Sequence, residues 1–217
     1  MSIRKIPFVP GEYYHVFNRG VDKRRIFNDV TDVNRFLQSM VEFNTKDPIG
    51  SIYENSFERK MDKKPTKLVS FITYGLILNH FHFVLTPLVE NGIEAFMQRL
   101  GTGYTMYFNA RNHRSGSLFQ GKFKASHIDS NEYLLHVSAY VNLNDKTHQL
   151  GGLASKLVRT SWNHYIQNEV VAVQCEKDIV LDQFRSINEY KEFALSSLED
   201  MIQRKKEEKE LKLLLID

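Results

Sequence analysis

Apolar and polar positions recur along the chain with the periods of strands and helices in a definite order. Glu12–Arg19 (EYYHVFNR) is rich in aromatic and β-favouring residues and predicts a strand, ended by Gly20 and a basic turn, Lys23-Arg24-Arg25. Thr31 or Asp32 can cap a helix running to about Phe43, with Val33, Phe36, Leu37, Met40 and Val41 on one face. Residues 44–67 are polar, contain Pro48, Gly50 and Pro65, and predict a long surface excursion. Leu68–Leu78 and His80–Pro87 are apolar runs with almost nothing between them, so adjacent strands at the sheet centre are expected, with a tight reversal or bulge near Asn79.

Asn91 with Glu94 has the spacing of a capping box, and Ile93, Phe96, Met97, Leu100, Tyr104, Tyr107 and Phe108 then recur on one helical face. Gly101 and Gly103 inside that helix cost about 1 kcal/mol each relative to Ala, which predicts a close packing or backbone approach there. Gly121–Ile128 predicts another strand, with Phe123 and Ala125 facing opposite to Lys122 and Lys124. Asp129 with Glu132 opens a further helix whose buried stripe is Leu134, Val137 and Val141. The order β-α-β-β-α-β-α points to an α+β domain on an antiparallel sheet in the ferredoxin-like manner. Beyond Gly152 the pattern weakens until a terminal helix from Asn188 to about Leu215, whose run Lys205–Lys209 reads as a solvated face. Residues 1–150 are therefore expected to form one domain and 151–217 a mostly helical extension.

Composition narrows the classes. With 217 residues, 42% hydrophobic and 25% charged, the chain suits one sizeable domain plus an appendage. No apolar run approaches the roughly 18 to 20 residues that span a bilayer, and no signal core follows Met1, so a cytoplasmic protein is expected. The single Cys175 excludes an internal disulfide and a Cys-x-x-Cys zinc site, leaving His, Asn and carboxylates as metal donors. The net charge of +3 says little, but its distribution says more. No Asp or Glu occurs from Ala95 to Ile128, where Arg99, Arg111, Arg114, Lys122 and Lys124 are interleaved with six aromatic residues. Such a stretch is either core plus a solvated face or a surface that neutralises phosphates and stacks on bases.

Two constellations can carry chemistry. His80 and His82 lie two apart on a strand, which puts both imidazoles on one face while Phe81 and Phe83 point to the other. Two neutral imidazoles so placed can chelate a divalent ion, or can be ordinary hydrogen-bonded histidines. Tyr140 and Asn144 are four apart and therefore neighbours on a helix. The Asn144 carbonyl can become a third ligand, with the Tyr140 hydroxyl beside a metal-bound phosphate; alternatively Tyr140 is one more core-edge tyrosine. His136, one turn before Tyr140, can orient it, take its proton or be plain surface.

Five blocks in order carry a family resemblance: Gly11–Gly20 (GEYYHVFNRG), Leu78–Phe83 (LNHFHF), Phe96–Tyr104 (FMQRLGTGY), Ser115–Lys124 (SGSLFQGKFK) and Tyr140–Asn144 (YVNLN). Together they resemble the single-tyrosine HUH transposases of bacterial insertion sequences, and most closely the REP-associated tyrosine transposases, over roughly residues 11–150. The resemblance implies a ferredoxin-like or RRM-like core, His80 and His82 as metal ligands, Asn144 as third ligand and Tyr140 as nucleophile. Three departures stand out: Ile77-Leu78 where the family usually has Met-Pro, Asn144-Asp145 where it usually has Asn-Pro, and Asn142 where it often has His. Without the proline, the helix can run on and shift Asn144. Ser161, Trp162, His164 and Tyr165 resemble a segment common after the family core and are read as packing.

What this implies is a transposase-type endonuclease and strand transferase that uses Mg²⁺ or Mn²⁺. Tyr140 would attack a single-stranded DNA phosphate beside a hairpin, leaving a 5′-phosphotyrosine bond and a 3′-hydroxyl. Arg19, Lys23, Arg24, Arg25, Arg111, Arg114, Lys122 and Lys124 are the candidate DNA-backbone contacts. Relatives include both monomers and homodimers. The rivals are a domesticated hairpin-binding protein that no longer cuts, and a metal-dependent phosphodiesterase that uses water.

Overall fold

The computed structural model describes residues 7–53, 65–147 and 155–214, with side chains followed to Gln203. The elements are β1 (Tyr13–Arg19), α1 (Val30–Glu42), β2 (Val69–Ile77), β3 (His80–Pro87), α2 (Gly92–Arg111), β4 (Lys124–Ile128), α3 (Asn131–Asn142) and α4 (Asn144–Thr147). They are followed by β5 (Arg159–Thr160), α5 (Trp162–Gln167), α6 (Asp178–Leu181) and α7 (Ile187–Leu214). The sheet order is β4-β1-β3-β2-β5 and every pairing is antiparallel. The expected β-α-β-β-α-β core is thus present as an α+β fold, with β5 added at the β2 edge. The tight reversal is the two-residue turn Leu78-Asn79, since Ile77 pairs with His80, and a register shift lies between Phe71 and Thr73.

Strand register divides the sheet into two faces. Phe17 pairs with His82, which pairs with Gly75, and these share a face with His15, Val84 and Thr73. Tyr14, Val16, Phe81, Phe83, Leu85, Tyr74 and Leu76 point the other way, into a core with Val33, Phe36 and Met40 of α1 and Ile93, Phe96, Leu100 and Tyr104 of α2. The histidine face is closed by a second core, in which Val84, Ile72 and Ile128 meet Leu134, Val137 and Val141 of α3, Tyr165 of α5 and Tyr190 and Ala194 of α7. An amphipathic sheet would leave one face wet, and here the C-terminal helices cover most of it. The expected boundary at residues 150 and 151 lies outside the described residues, as do residues 54–64 of the excursion. Among the described residues no helix is long and apolar enough to cross a membrane.

Several local expectations are corrected. Asp29, not Thr31 or Asp32, caps α1, accepting from the backbone N–H groups of Thr31 and Asp32. That leaves the Asp32 carboxylate, fully buried, to take Arg111 at 2.5 Å and the Tyr107 hydroxyl at 3.2 Å. Val41 is exposed rather than part of the apolar stripe. The Asn91 side chain makes no cap hydrogen bond, because its backbone is left-handed (φ 55°) and directs the side chain out of the capping position. β4 begins at Lys124 rather than Gly121, whose positive φ ends extended backbone there. Gly103 has the close packing expected of it, since a Cβ would lie 2.5 Å from the Phe43 ring, whereas Gly101 has open space.

The close approach of α3 to the sheet occurs at Gly75, where a Cβ would stand 2.7 Å from the Val141 carbonyl oxygen. Asn142 fixes the same contact by polar bonds. Its Oδ1 accepts from the Thr73 hydroxyl at 2.9 Å and the Ser161 hydroxyl at 2.6 Å, and its Nδ2 donates to the Tyr190 hydroxyl at 2.9 Å. Asn142, Thr73 and Ser161 are fully buried, so each of these bonds replaces water that the groups have lost. Ser161 and Tyr165 therefore do close the domain, Tyr165 through a 2.7 Å bond from its hydroxyl to the Ile72 carbonyl.

Gly75→Ala is expected to lower stability by about 1–3 kcal/mol, the usual cost of overpacking, as read by urea denaturation. An unchanged midpoint would mean that α3 does not sit this close. Arg111→Met removes the charge partner of buried Asp32 and should lower the melting temperature at neutral pH. Its hydrogen bond also holds the Asp29 carboxyl down to about 2 from an ordinary 3.8. A depressed carboxylate contributes stability above its unfolded pKa and loses it as pH falls. The gap in melting temperature between wild type and variant should therefore be full above about pH 4 and narrow toward pH 2. A gap that stays constant down to pH 2 would contradict this.

Candidate active site

The period of two on β3 delivers His80 and His82 to the face covered by α3, and the depth of the two differs: His82 is buried and His80 half-buried. Their rings lie edge to face with centroids 5.1 Å apart. Tyr140, on the last turn of α3, stands over them, 5.3 Å from the His82 ring centroid at an interplanar angle of 81°. Helix α3 does not run on past Asn142 despite the missing proline. Leu143 breaks it, closing on Ala139 by its N–H, and Asn144 opens the short α4. This break leaves the Asn144 side chain fully buried with Oδ1 3.2 Å from His80 Nε2. Burial pushes the Tyr140 phenol above its ordinary pKa, while a hydrogen bond with Asn144 acts in the opposite sense.

Sequence reasoning missed one residue of this cluster. His15, on the same face of β1, places Nε2 2.9 Å from His82 Nδ1, and its ring lies 5.1 Å from that of His82 and 6.2 Å from that of Tyr140. Burial lowers its pKa to about 4, so it is neutral at physiological pH. The signal was the alternation Tyr13, His15, Phe17, but its meaning needs the cross-strand register that seats β1 against β3. His80 has a comparable support from its neighbour, with Nδ1 2.7 Å from Asn79 Oδ1.

These groups open onto a cleft of about 430 Å³ lined by His80, His82, Tyr140, Phe17, Asn18, Asn79 and Gln120 together with Arg19, Lys23 and Lys124. Of the expected DNA contacts, these last three line the cleft. The turn that carries Lys23, Arg24 and Arg25 is strapped to the β2–β3 reversal: Asn79 donates to the Lys23 carbonyl at 3.1 Å, and Gly20 and Ile26 donate from their N–H groups to Asn79 and Leu78 carbonyls. Arg24 and Arg25 are exposed on that turn. Arg19 donates through Nε to Gln120 Oε1, which orients it along the cleft wall. Arg111, Arg114 and Lys122 do not line the cleft. Arg111 is held by Asp29 and Asp32, Arg114 by Asn109 and the Ser117 carbonyl, and Lys122 lines a separate groove along α2. His136 packs on Phe193 and lies 3.3 Å from the Ser197 hydroxyl, so it faces α7 rather than Tyr140.

The donor set limits the ion that would suit it. Among the described residues no group of three or more His, Cys, Asp or Glu side chains converges as a metal site. Two imidazoles and an amide oxygen carry no charge, leaving room for phosphate oxygens and water. That combination could hold a divalent ion with positions left open for substrate oxygens, as a closed four-ligand structural zinc site does not.

No family model matches the chain, and no curated protein matches it in sequence. Its fold is similar to that of a solved REP-associated tyrosine transposase bound to a REP hairpin, with a TM-score of 0.50, 10% identity, and coverage of 81% of this chain and 92% of the other. At that identity the likeness concerns the fold. The chain has a fold like that of a REP-associated tyrosine transposase.

Proposed function

We propose that this protein is a metal-dependent DNA nicking and rejoining enzyme that works in the cytoplasm on single-stranded DNA beside a hairpin. The observation that carries the reading is that Tyr140 of α3 and His80 and His82 of β3 line one cleft whose walls carry Arg19, Lys23 and Lys124, with the buried Asn144 of α4 3.2 Å from His80. The fold shared with a transposase that binds a REP hairpin supports the same substrate class.

Arg19, Lys23 and Lys124 would draw the phosphodiester backbone into the cleft, and Phe17 offers a ring against which an unpaired base can stack. His80, His82 and Asn144 would hold a divalent ion, which when bound polarises the scissile phosphate. Tyr140 Oη attacks phosphorus and loses its proton to water. The bond from phosphorus to the 3′ oxygen breaks, that oxygen takes a proton from water and leaves as the 3′-hydroxyl of the upstream fragment, and the phosphate stays joined to Tyr140 and to the 5′ oxygen of the downstream fragment. Attack by a second 3′-hydroxyl reverses the step, breaks the tyrosine ester and joins a new strand without ATP. Burial raises the Tyr140 pKa from a value already above neutral pH, so the phenol is protonated in the free protein and has to give up its proton during attack.

The test is incubation of the protein with labelled single-stranded hairpin DNA in Mn²⁺ or in EDTA, followed by a denaturing gel. Wild type in Mn²⁺ is expected to give a covalent adduct, with none in EDTA and none with Tyr140→Phe, while His82→Ala should reduce it by about 100-fold or more. Cleavage by both wild type and Tyr140→Phe with no adduct would replace the proposal with a water-using nuclease. Binding without cleavage across a broad set of hairpins would replace it with a domesticated hairpin binder.

A further inference from the structure

The two candidate metal histidines are engaged at corresponding atoms. His80 Nδ1 lies 2.7 Å from Asn79 Oδ1, and His82 Nδ1 lies 2.9 Å from His15 Nε2. Both amide oxygens beside His80 can only accept, and a neutral imidazole has one N–H to give. The shorter contact, 2.7 Å to Asn79 Oδ1, takes it at Nδ1, which leaves Nε2 and Asn144 Oδ1 as two acceptors facing each other at 3.2 Å, as two ligands of one ion would. His82 is less constrained, because an imidazole partner can accept or donate. If His15 donated, His82 would carry its proton on Nε2 and could not ligate through that atom. If His15 accepts, His82 is the Nδ1–H tautomer and its Nε2 matches that of His80. An imidazole ligand in a metal site is oriented by the bond its other nitrogen makes, and losing that partner commonly weakens metal binding about 10–100-fold.

Resting on the metal-dependent reading above, we propose that His15 is a positioning residue: its Nε2 accepts the Nδ1–H of His82 and thereby fixes the ring and the tautomer in which His82 Nε2 takes the metal. The surroundings of His15 suit a fixed acceptor. Its ring is packed beside Phe17 at 5.0 Å, stacked on His82 at 5.1 Å with an interplanar angle of 19°, and edge-on to Tyr140 at 6.2 Å. Register holds it there as well, since β1 places His15 opposite Val84 and Phe17 opposite His82 in an antiparallel ladder. His15 is thus set by the sheet itself, whereas Tyr140 is set by a helix that rests on the sheet.

The experiment uses the full chain and two substitutions. His15→Phe keeps a ring for Phe17, His82 and Tyr140 to pack on but cannot accept a hydrogen bond, and His15→Gln keeps an acceptor oxygen. Mn²⁺ affinity, read by the electron paramagnetic resonance of free Mn²⁺, should fall about 10–100-fold in His15→Phe and stay within a few-fold of wild type in His15→Gln. Long-range nitrogen–proton correlation spectra should show His82 as the Nδ1–H tautomer in metal-free wild type and a shift toward Nε2–H in His15→Phe. A purely structural role would move the melting temperature and leave the tautomer of His82 unchanged. Wild-type affinity in His15→Phe, or His82 as Nε2–H in the wild-type protein, would overturn the assignment. Should wild type bind no Mn²⁺, the metal-dependent reading of the site falls, and the tautomer spectrum alone decides whether His15 accepts from His82.

Discussion

Helix α3 reaches the histidine strand only because β2 has no side chain at Gly75. A Cβ there would stand 2.7 Å from the Val141 carbonyl, one residue from Tyr140. The geometry of the candidate site depends on that approach: it sets Tyr140 above His82, it brings Asn144 to His80, and it closes the wall of the cleft. The approach is then locked by Asn142, whose amide joins Thr73 of β2, Ser161 before α5 and Tyr190 of α7 in one buried network. A fully satisfied polar cluster of this kind specifies one packing, because any slip of α3 leaves several buried groups without partners.

The two faces of the sheet do different work. One is an aromatic and aliphatic core with α1 and α2, tied at its end by the buried Asp32 and its Arg111 partner. The other has a polar half and an apolar half, with the histidines at the open end and the α3, α5 and α7 contacts at the closed end. The basic turn after β1 belongs to the polar half, since its backbone is bonded to the β2–β3 reversal that precedes His80. The basic side chains of this turn and the two candidate metal histidines are thereby fixed to the same strands, and their separation does not depend on a long loop.

Much of this was legible in the sequence. Period-two alternation placed His80 and His82 on one face, and the apolar stripe of Leu134, Val137 and Val141 gave the orientation of α3. Spacing made Tyr140 and Asn144 neighbours, but only the resemblance favoured chemistry over packing there, because a tyrosine beside an apolar stripe looks the same whether it reacts or packs. His15 was missed for a different reason: its partner is 67 residues away and meets it only through strand pairing. Arg111 was read as a DNA contact because a base on a helix with no nearby acid in sequence appears solvated, while its carboxylates come from the other end of the domain. The capping residue of α1 was displaced by two or three positions, since Asp29, Thr31 and Asp32 all suit the role and only tertiary pairing of Asp32 separates them.

The central claim is that Tyr140 itself takes the phosphate. It is tested most directly by digesting the protein–DNA adduct formed in Mn²⁺ with protease and nuclease and locating the retained nucleotide by mass spectrometry. The account predicts a nucleotide phosphate on the peptide that carries Tyr140. A nucleotide on any other residue, or cut DNA bearing a free 5′-phosphate with unmodified protein, would contradict it.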